Sequence, residues 1–261
     1  MEKNRRKAFW GVQLKYTLAP ILWLYGIVFL GLTGMYLYNW FTEFAKSENE
    51  VSLVEQLGYL PLGISFFVLV IGVQVILGIG YAKQERNELA MKRILLPKEM
   101  IDMIRLNFSL LVTFSAFLFY FLMICLLGIT ENLLAPQYAY GGTELFSAFY
   151  YYAILYNVYP VVSVWTIPRF IVCVAAASVM SPMLGGVSSN SIWEYTRWER
   201  LVGGMVVGYL FSLYCFDESF SPISDIIWMV FFGFFYVRKV VITYGKKYED
   251  DREEGTVKSQ C

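Results

Sequence analysis

The chain has 261 residues, 57% of them hydrophobic and 16% charged, with no histidine and a formal net charge of zero. Soluble domains carry about 25% charged residues, so this composition, with a mean hydropathy of +0.52, excludes an ordinary soluble domain and predicts a membrane protein. The missing histidine excludes HExxH zinc chemistry, Ser-His-Asp triads and histidine proton relays.

The charges are sorted by segment. Lys3, Arg5, Arg6, Lys7 and Lys15 precede an uncharged run from Thr17 to Phe41. Residues 8–16 mix aromatics with charge, which predicts a short interfacial helix before a first span at 18–38. The segment 43–55 then holds carboxylates and, apart from Lys46, no basic residue.

A second span is expected at 59–81. Both spans are punctuated by Gly and Pro, with Pro20, Gly26, Gly31 and Gly34 in the first and Pro61, Gly63, Gly72, Gly78 and Gly80 in the second, residues commoner in membrane helices than in soluble ones. The connector that follows, 83–105, carries Lys83, Arg86, Lys92, Arg93, Lys98 and Arg105. Its first part has helical spacing, with Glu88 and Lys92 forming a favourably oriented i,i+4 pair. Leu89, Ile94 and Leu95 give it an apolar edge. Pro97 then breaks the helix and suits the first turn of the next, where Glu99 faces the positive helix end. As a bare connector this segment needs only its basic residues. Its balanced charge and apolar edge suit a docking element for a cytosolic protein.

The third span is expected at 106–129, followed by an acidic loop, Glu131 to Glu144. Residues 145–187 must cross an odd number of times to keep the basic segments on one side. One crossing near 166–187, after a Tyr-rich interfacial piece (Tyr150 to Tyr159), fits its length best. Arg169 is awkward there and reads as snorkelling at a membrane edge. The last runs, 201–216 and roughly 220–238, are short. This hairpin either crosses a locally thinned bilayer or re-enters from outside without crossing. The chain is thus read as an all-α membrane protein of six spans, with seven or eight left open. Residues 1–248 form one transmembrane domain, and 249–261 an acidic, disordered cytoplasmic tail. Lys and Arg held inside put both termini and the 83–105 connector in the cytoplasm.

Gly204 and Gly208 have the spacing that lets a second helix approach closely, within the chain or from a second copy. Cys125, Cys173 and Cys215 lie in apolar runs and Cys261 ends the chain, so neither a metal site nor a disulfide framework is expected. No GxxxxGK[ST] phosphate loop is present. No catalytic residue, cofactor or nucleic-acid partner is assigned to this chain.

An acidic-rich helix, Leu95-Leu96-Pro97-Lys98, then Ile101 and Arg105 entering a third span resembles the permease subunits of type-two class ABC exporters. The motif, with Glu85 and Glu88, covers about a tenth of the chain. Basic N-terminal interfacial helix, six spans, cytoplasmic termini and a final re-entrant hairpin are similar in layout. Ala90, where many members have Gly, and the Tyr-rich fourth segment depart from the family. The resemblance implies that Glu85, Arg86, Glu88, Leu89, Lys92, Arg93, Pro97 and Lys98 dock on a separate cytosolic P-loop ATPase, which binds ATP and Mg. It also implies a second permease subunit, as homo- or heterodimer, in the bacterial plasma membrane. An apolar, aromatic pathway would suit an amphipathic peptide, drug or lipid. The other classes are a non-transport membrane protein, such as an immunity factor or assembly scaffold, and an intramembrane enzyme. The enzyme lacks convergent polar groups among the expected spans.

Overall fold

The computed structural model describes residues 2–42, 57, 59–86, 98–134, 166–181, 197–215, 226–234, 237–238 and 241. The described residues are all-helical apart from a turn. The principal helices are α1 (Glu2–Thr42), α2 (Tyr59–Arg86), α3 (Lys98–Leu134), α4 (Thr166–Val179), α5 (Arg197–Cys215) and α6 (residues 226–234). α1, α2 and α3 are each long and apolar enough to cross a membrane, which makes this a membrane protein. Six spans and a re-entrant hairpin go further than the described helices. The described α4, at about 1.5 Å per residue, accounts for about 21 Å through its 14 residues.

α1 to α4 alternate in direction. Between α1 and α2, Gln13 meets Gln84, Thr17 meets Gly80, and Leu24 meets Gly72, so one helix ascends as the other descends. Between α2 and α3 the partners run Ser65–Tyr120, Gln74–Thr113 and Tyr81–Arg105, again antiparallel. α3 and α4 follow suit through Phe117–Phe170 and Ser109–Ser178. α5 packs on α2, where the Phe211 ring stands edge-on to Phe67 at 5.2 Å. Tyr209 of α5 holds Trp228 and Phe232 of α6 at 5.3 and 5.2 Å. This order puts the start of α1, the end of α2 and the start of α3 together at one end, which carries Lys7, Lys15, Lys83 and Lys98. We call it the basic end.

The predicted interfacial helix at 8–16 does not exist as a separate element. α1 is one continuous helix of 41 residues, because its buried stripe does not change direction where the span was expected to begin. Phe9, Gln13, Thr17 and Ile21 are all buried at i,i+4 steps, a spacing that keeps one helix face against its neighbours. Pro20 does not stop the helix. Its ring is exposed, and its missing N–H removes a single bond, to the Tyr16 carbonyl. Below the span, Phe9 packs with Met100, Ile101 and Ile104 of α3 in a separate apolar cluster. Buried contact holds the first turns of α1 upright.

The exposed surface is apolar. Leu18, Leu22, Trp23, Ile27 and Leu30 on α1 and Leu111, Phe114, Leu118, Leu122 and Leu126 on α3 all face outward. Water would penalise such a surface; lipid does not. Polar side chains, by contrast, collect inside.

Candidate functional site: the basic end and the polar interior

The connector implicated in docking is mounted at the basic end. Glu85 and Arg86 are the last two residues of α2, and Lys98 is the first of α3. They therefore belong to the long helices rather than to an independent connector helix. Glu88, Leu89, Lys92, Arg93 and Pro97 lie outside the described residues, as do the Tyr-rich segment, residues 216–225 and the acidic tail. The described part of α3 begins at Lys98.

Two contacts fix this mount. Gln13 and Gln84 exchange a reciprocal pair of amide hydrogen bonds, each 3.0 Å, with both side chains buried. Tyr81, one turn further in, donates its hydroxyl to the Arg105 carbonyl at 3.1 Å. The Arg105 guanidinium carbon stands 5.2 Å from the Tyr81 ring centre, within reach of a cation–π attraction. Arg105 is only 3% exposed. The residue at the entrance to the third span is thus an interior group, not a solvated one. α1, α2 and α3 are tied together within two turns of the connector.

The polar interior continues along α3. Gln74 Nε2 donates to Thr113 Oγ1 at 2.6 Å, and Thr113 Oγ1 donates in turn to the Ser109 carbonyl at 2.7 Å. Ser109 Oγ lies 2.6 Å from the Ser178 carbonyl, 3.1 Å from Ser181 Oγ and 3.3 Å from Gln74 Oε1. A hydroxyl has one proton, and the shortest contact takes it to Ser178; Ser181 then donates to Ser109. The Ser178 carbonyl belongs to the last turn of α4, where the helix's own donors have run out. Met180 N–H closes that end on the Ala177 carbonyl at 3.0 Å. A side chain of α3 therefore caps α4.

Nearer the opposite end the interior is aromatic. Phe66 stands edge-on to Phe117 and Tyr120, each at 4.9 Å, and Tyr120 donates to the Leu62 carbonyl at 2.8 Å. Tyr25 stacks on Phe119 at 4.4 Å, with its hydroxyl 2.9 Å from Ser115 Oγ. Arg169, read from sequence as snorkelling at a membrane edge, is instead 5% exposed. It sits on the inward face of α4, next to the Phe170 that packs on Phe117. Arg105 and Arg169 are both buried.

Gly204 and Gly208 are exposed, and among the described residues nothing lies within 4 Å of where a Cβ would project from either. Close approach happens elsewhere. A Cβ on Gly80 would stand 2.6 Å from Thr17 Cγ2, and one on Gly72 would stand 2.8 Å from Leu24 Cδ2. In the sequence these two glycines stand out only as span punctuation. These two glycines, eight residues apart, face Leu24 and Thr17, seven apart on the other helix, and mark the α1–α2 seam. Composition and charge do not single out Gln13, Gln74 and Gln84; an amide in or beside an apolar run is the signal that finds them. Cys125 and Cys173 are unbridged, and among the described residues no group of His, Cys, Asp and Glu could hold a metal ion.

No family model matches the chain, and comparison with curated proteins and with solved structures yields no similar protein.

Proposed function

We propose that this chain is the membrane subunit of an ATP-driven exporter, coupled through residues 83–105 to a separate cytosolic P-loop ATPase. The observation that carries the reading is the mount at the basic end. A short segment with balanced charge leaves the end of α2 and returns into α3. The flanking helices are locked together by Gln13–Gln84 and Tyr81–Arg105. A push on such a segment moves three long helices as a unit, which is the mechanical requirement of a coupling element. Basic residues at this end put it in the cytoplasm, with the remaining helices completing a six-span arrangement in a bacterial plasma membrane. ATP and Mg belong to the partner, and this chain performs no catalysis alone. A second permease subunit, identical or related, completes the pathway, whose apolar and aromatic lining suits an amphipathic peptide, drug or lipid. The continuous α1 departs from the interfacial N-terminal helix of the family that the sequence resembles.

The second reading is a non-transport membrane protein, an immunity factor or assembly scaffold. One observation favours it. The interior between α1, α2, α3 and α4 is filled by aromatic pairs and by amides and hydroxyls that bond each other.

The deciding experiment is purification of tagged protein from its native membrane, with mass spectrometry of what accompanies it. Co-purification of a P-loop ATPase, encoded by a neighbouring reading frame and active only in the complex, supports the exporter. Recovery of the chain with no ATPase, or ATP hydrolysis by the isolated chain, rejects it.

A further inference from the structure

We infer that Arg169 recognises the carboxylate of an anionic, amphipathic cargo at the middle of the membrane. This rests on the exporter reading above and names the charge of what is moved. Phe170 packs on Phe117, and Ser109 bonds Ser178, which fixes the height of α4 against α3 and sets Arg169 level with Leu118. Through Gln74–Thr113 and Ser65–Tyr120, and then Leu24–Gly72, the same level passes close to Val68 of α2 and Phe29 of α1. These positions lie within one residue of the midpoints of three uncharged runs, 106–130, 56–82 and 16–42. The ends of each run are about twelve residues away, about 18 Å along a helix, farther than an arginine side chain reaches. Snorkelling to the surface is closed to it, and only 5% of the residue is exposed.

Arginine keeps its proton in proteins, so the middle of this bundle holds a positive charge. Between Glu144 and Glu194 no other charged residue occurs, and the three uncharged runs supply none at its level. A charge at that depth is expensive, and membrane proteins keep one where substrates or ions pass. Arg169 opens the inward face of α4, which continues through Cys173, Ala176, Ala177 and Met180, all buried. α4 packs on α2, α3 and α5, and the rings of Phe66, Phe117, Tyr120 and Phe170 cluster near the same level. A head group there would meet the guanidinium while its alkyl chain met the rings. The guanidinium has five donors in a planar fork. It can keep bonds within the chain and still take a carboxylate through two parallel ones. A cationic cargo would be repelled, and a neutral one would gain nothing from the charge. The interior is closed in this conformation, so the cargo enters when the helices part.

The test uses the full chain in nanodiscs of phosphatidylcholine, with no ATPase present. Laurate and its neutral isostere lauramide are titrated at mildly alkaline pH, and partition into empty nanodiscs is subtracted. The wild type should bind laurate at least about tenfold more tightly, the worth of one charge-assisted hydrogen bond. Arg169→Met should abolish that preference and leave lauramide binding unchanged, which also shows that the variant is folded. Arg169→Lys, which keeps the charge and loses the fork, should retain part of it. A second measurement needs no substitution. Laurate with a diazirine beside its carboxylate should label residues 166–177 of the wild type, and unlabelled laurate, but not lauramide, should compete. Equal affinity for the two probes overturns the proposal, as does a preference that survives Arg169→Met. Labelling confined to the lipid-facing sides of α1 and α3 overturns it too, even where Arg169→Met fails to fold. In each case a co-purifying ATPase keeps the exporter reading, whereas its absence rejects that reading whatever the probes show.

Discussion

Gln13 of α1 and Gln84 of α2 pair through both of their amide groups, at 3.0 Å in each direction, from positions 71 residues apart. Each amide satisfies the other, so the pair can sit in an interior that would penalise either alone. Removing one partner leaves a buried donor and acceptor unmet, which costs about 1–3 kcal/mol. Replacing both with residues of similar shape removes the need for the bonds. Gln13→Leu and Gln84→Leu are therefore each expected to lower thermal stability in detergent, and the double variant to lose clearly less than the sum. A double variant that loses the full sum would mean that the two amides act independently.

Gly80 and Thr17 make a steric prediction of the opposite kind. The methyl of Gly80→Ala would be placed 2.6 Å from Thr17 Cγ2, and overpacking of this sort costs about 1–3 kcal/mol. Thr17→Ser removes that methyl and keeps the hydroxyl that bonds the Gln13 carbonyl at 2.8 Å. Gly80→Ala should thus unfold at lower temperature, and Thr17→Ser should restore much of the loss. Gly204→Ala, with open space around it, should leave the isolated chain's melting temperature unchanged or slightly raised.

Ser109 holds the end of α4. Ser109→Ala removes the donor to the Ser178 carbonyl, a bond worth about 0.5–1.5 kcal/mol, and releases a helix of only 14 residues. Amide hydrogen exchange should quicken over 174–181, while the α1–α2 seam keeps its protection. Uniform quickening along the whole chain would place the serine's effect on global stability and not on α4.

The proposed coupling predicts a separation of folding from function. Exposed helical ion pairs contribute about 0.3–0.5 kcal/mol, so Glu88→Lys or Arg93→Glu should leave insertion and melting nearly unchanged. At a docked interface the same reversal costs about 2–5 kcal/mol of association. Recovery of the partner ATPase should then fall by an order of magnitude or more, with Pro97→Ala milder. A charge-reversed variant that keeps its ATPase would reduce the segment to a solvated connector.

Topology can be read directly. A single cysteine at position 87, in a background with the four native cysteines replaced, should react with a membrane-impermeant maleimide only after cells are opened. Labelling of intact cells would invert the orientation drawn from the basic residues.

Hydropathy and charge sufficed, on the sequence alone, to define a helical membrane protein, because lipid demands long apolar helices with internally bonded backbones. The three principal spans were legible at 18–38, 59–81 and 106–129, inside α1, α2 and α3. Their true ends were not. The helices run past the apolar stretches because Phe9, Met100, Ile101 and Ile104 bury one another beyond them, a contact between residues more than ninety positions apart. Only tertiary structure could choose among the glycines. Gly204 and Gly208 have the familiar spacing but face outward, whereas Gly72 and Gly80 lie where α1 comes closest. The same holds for the polar residues: hydropathy weighs Gln13, Gln84, Ser109 and Arg105 one at a time, and their burial depends on partners that only the folded chain brings within hydrogen-bonding distance.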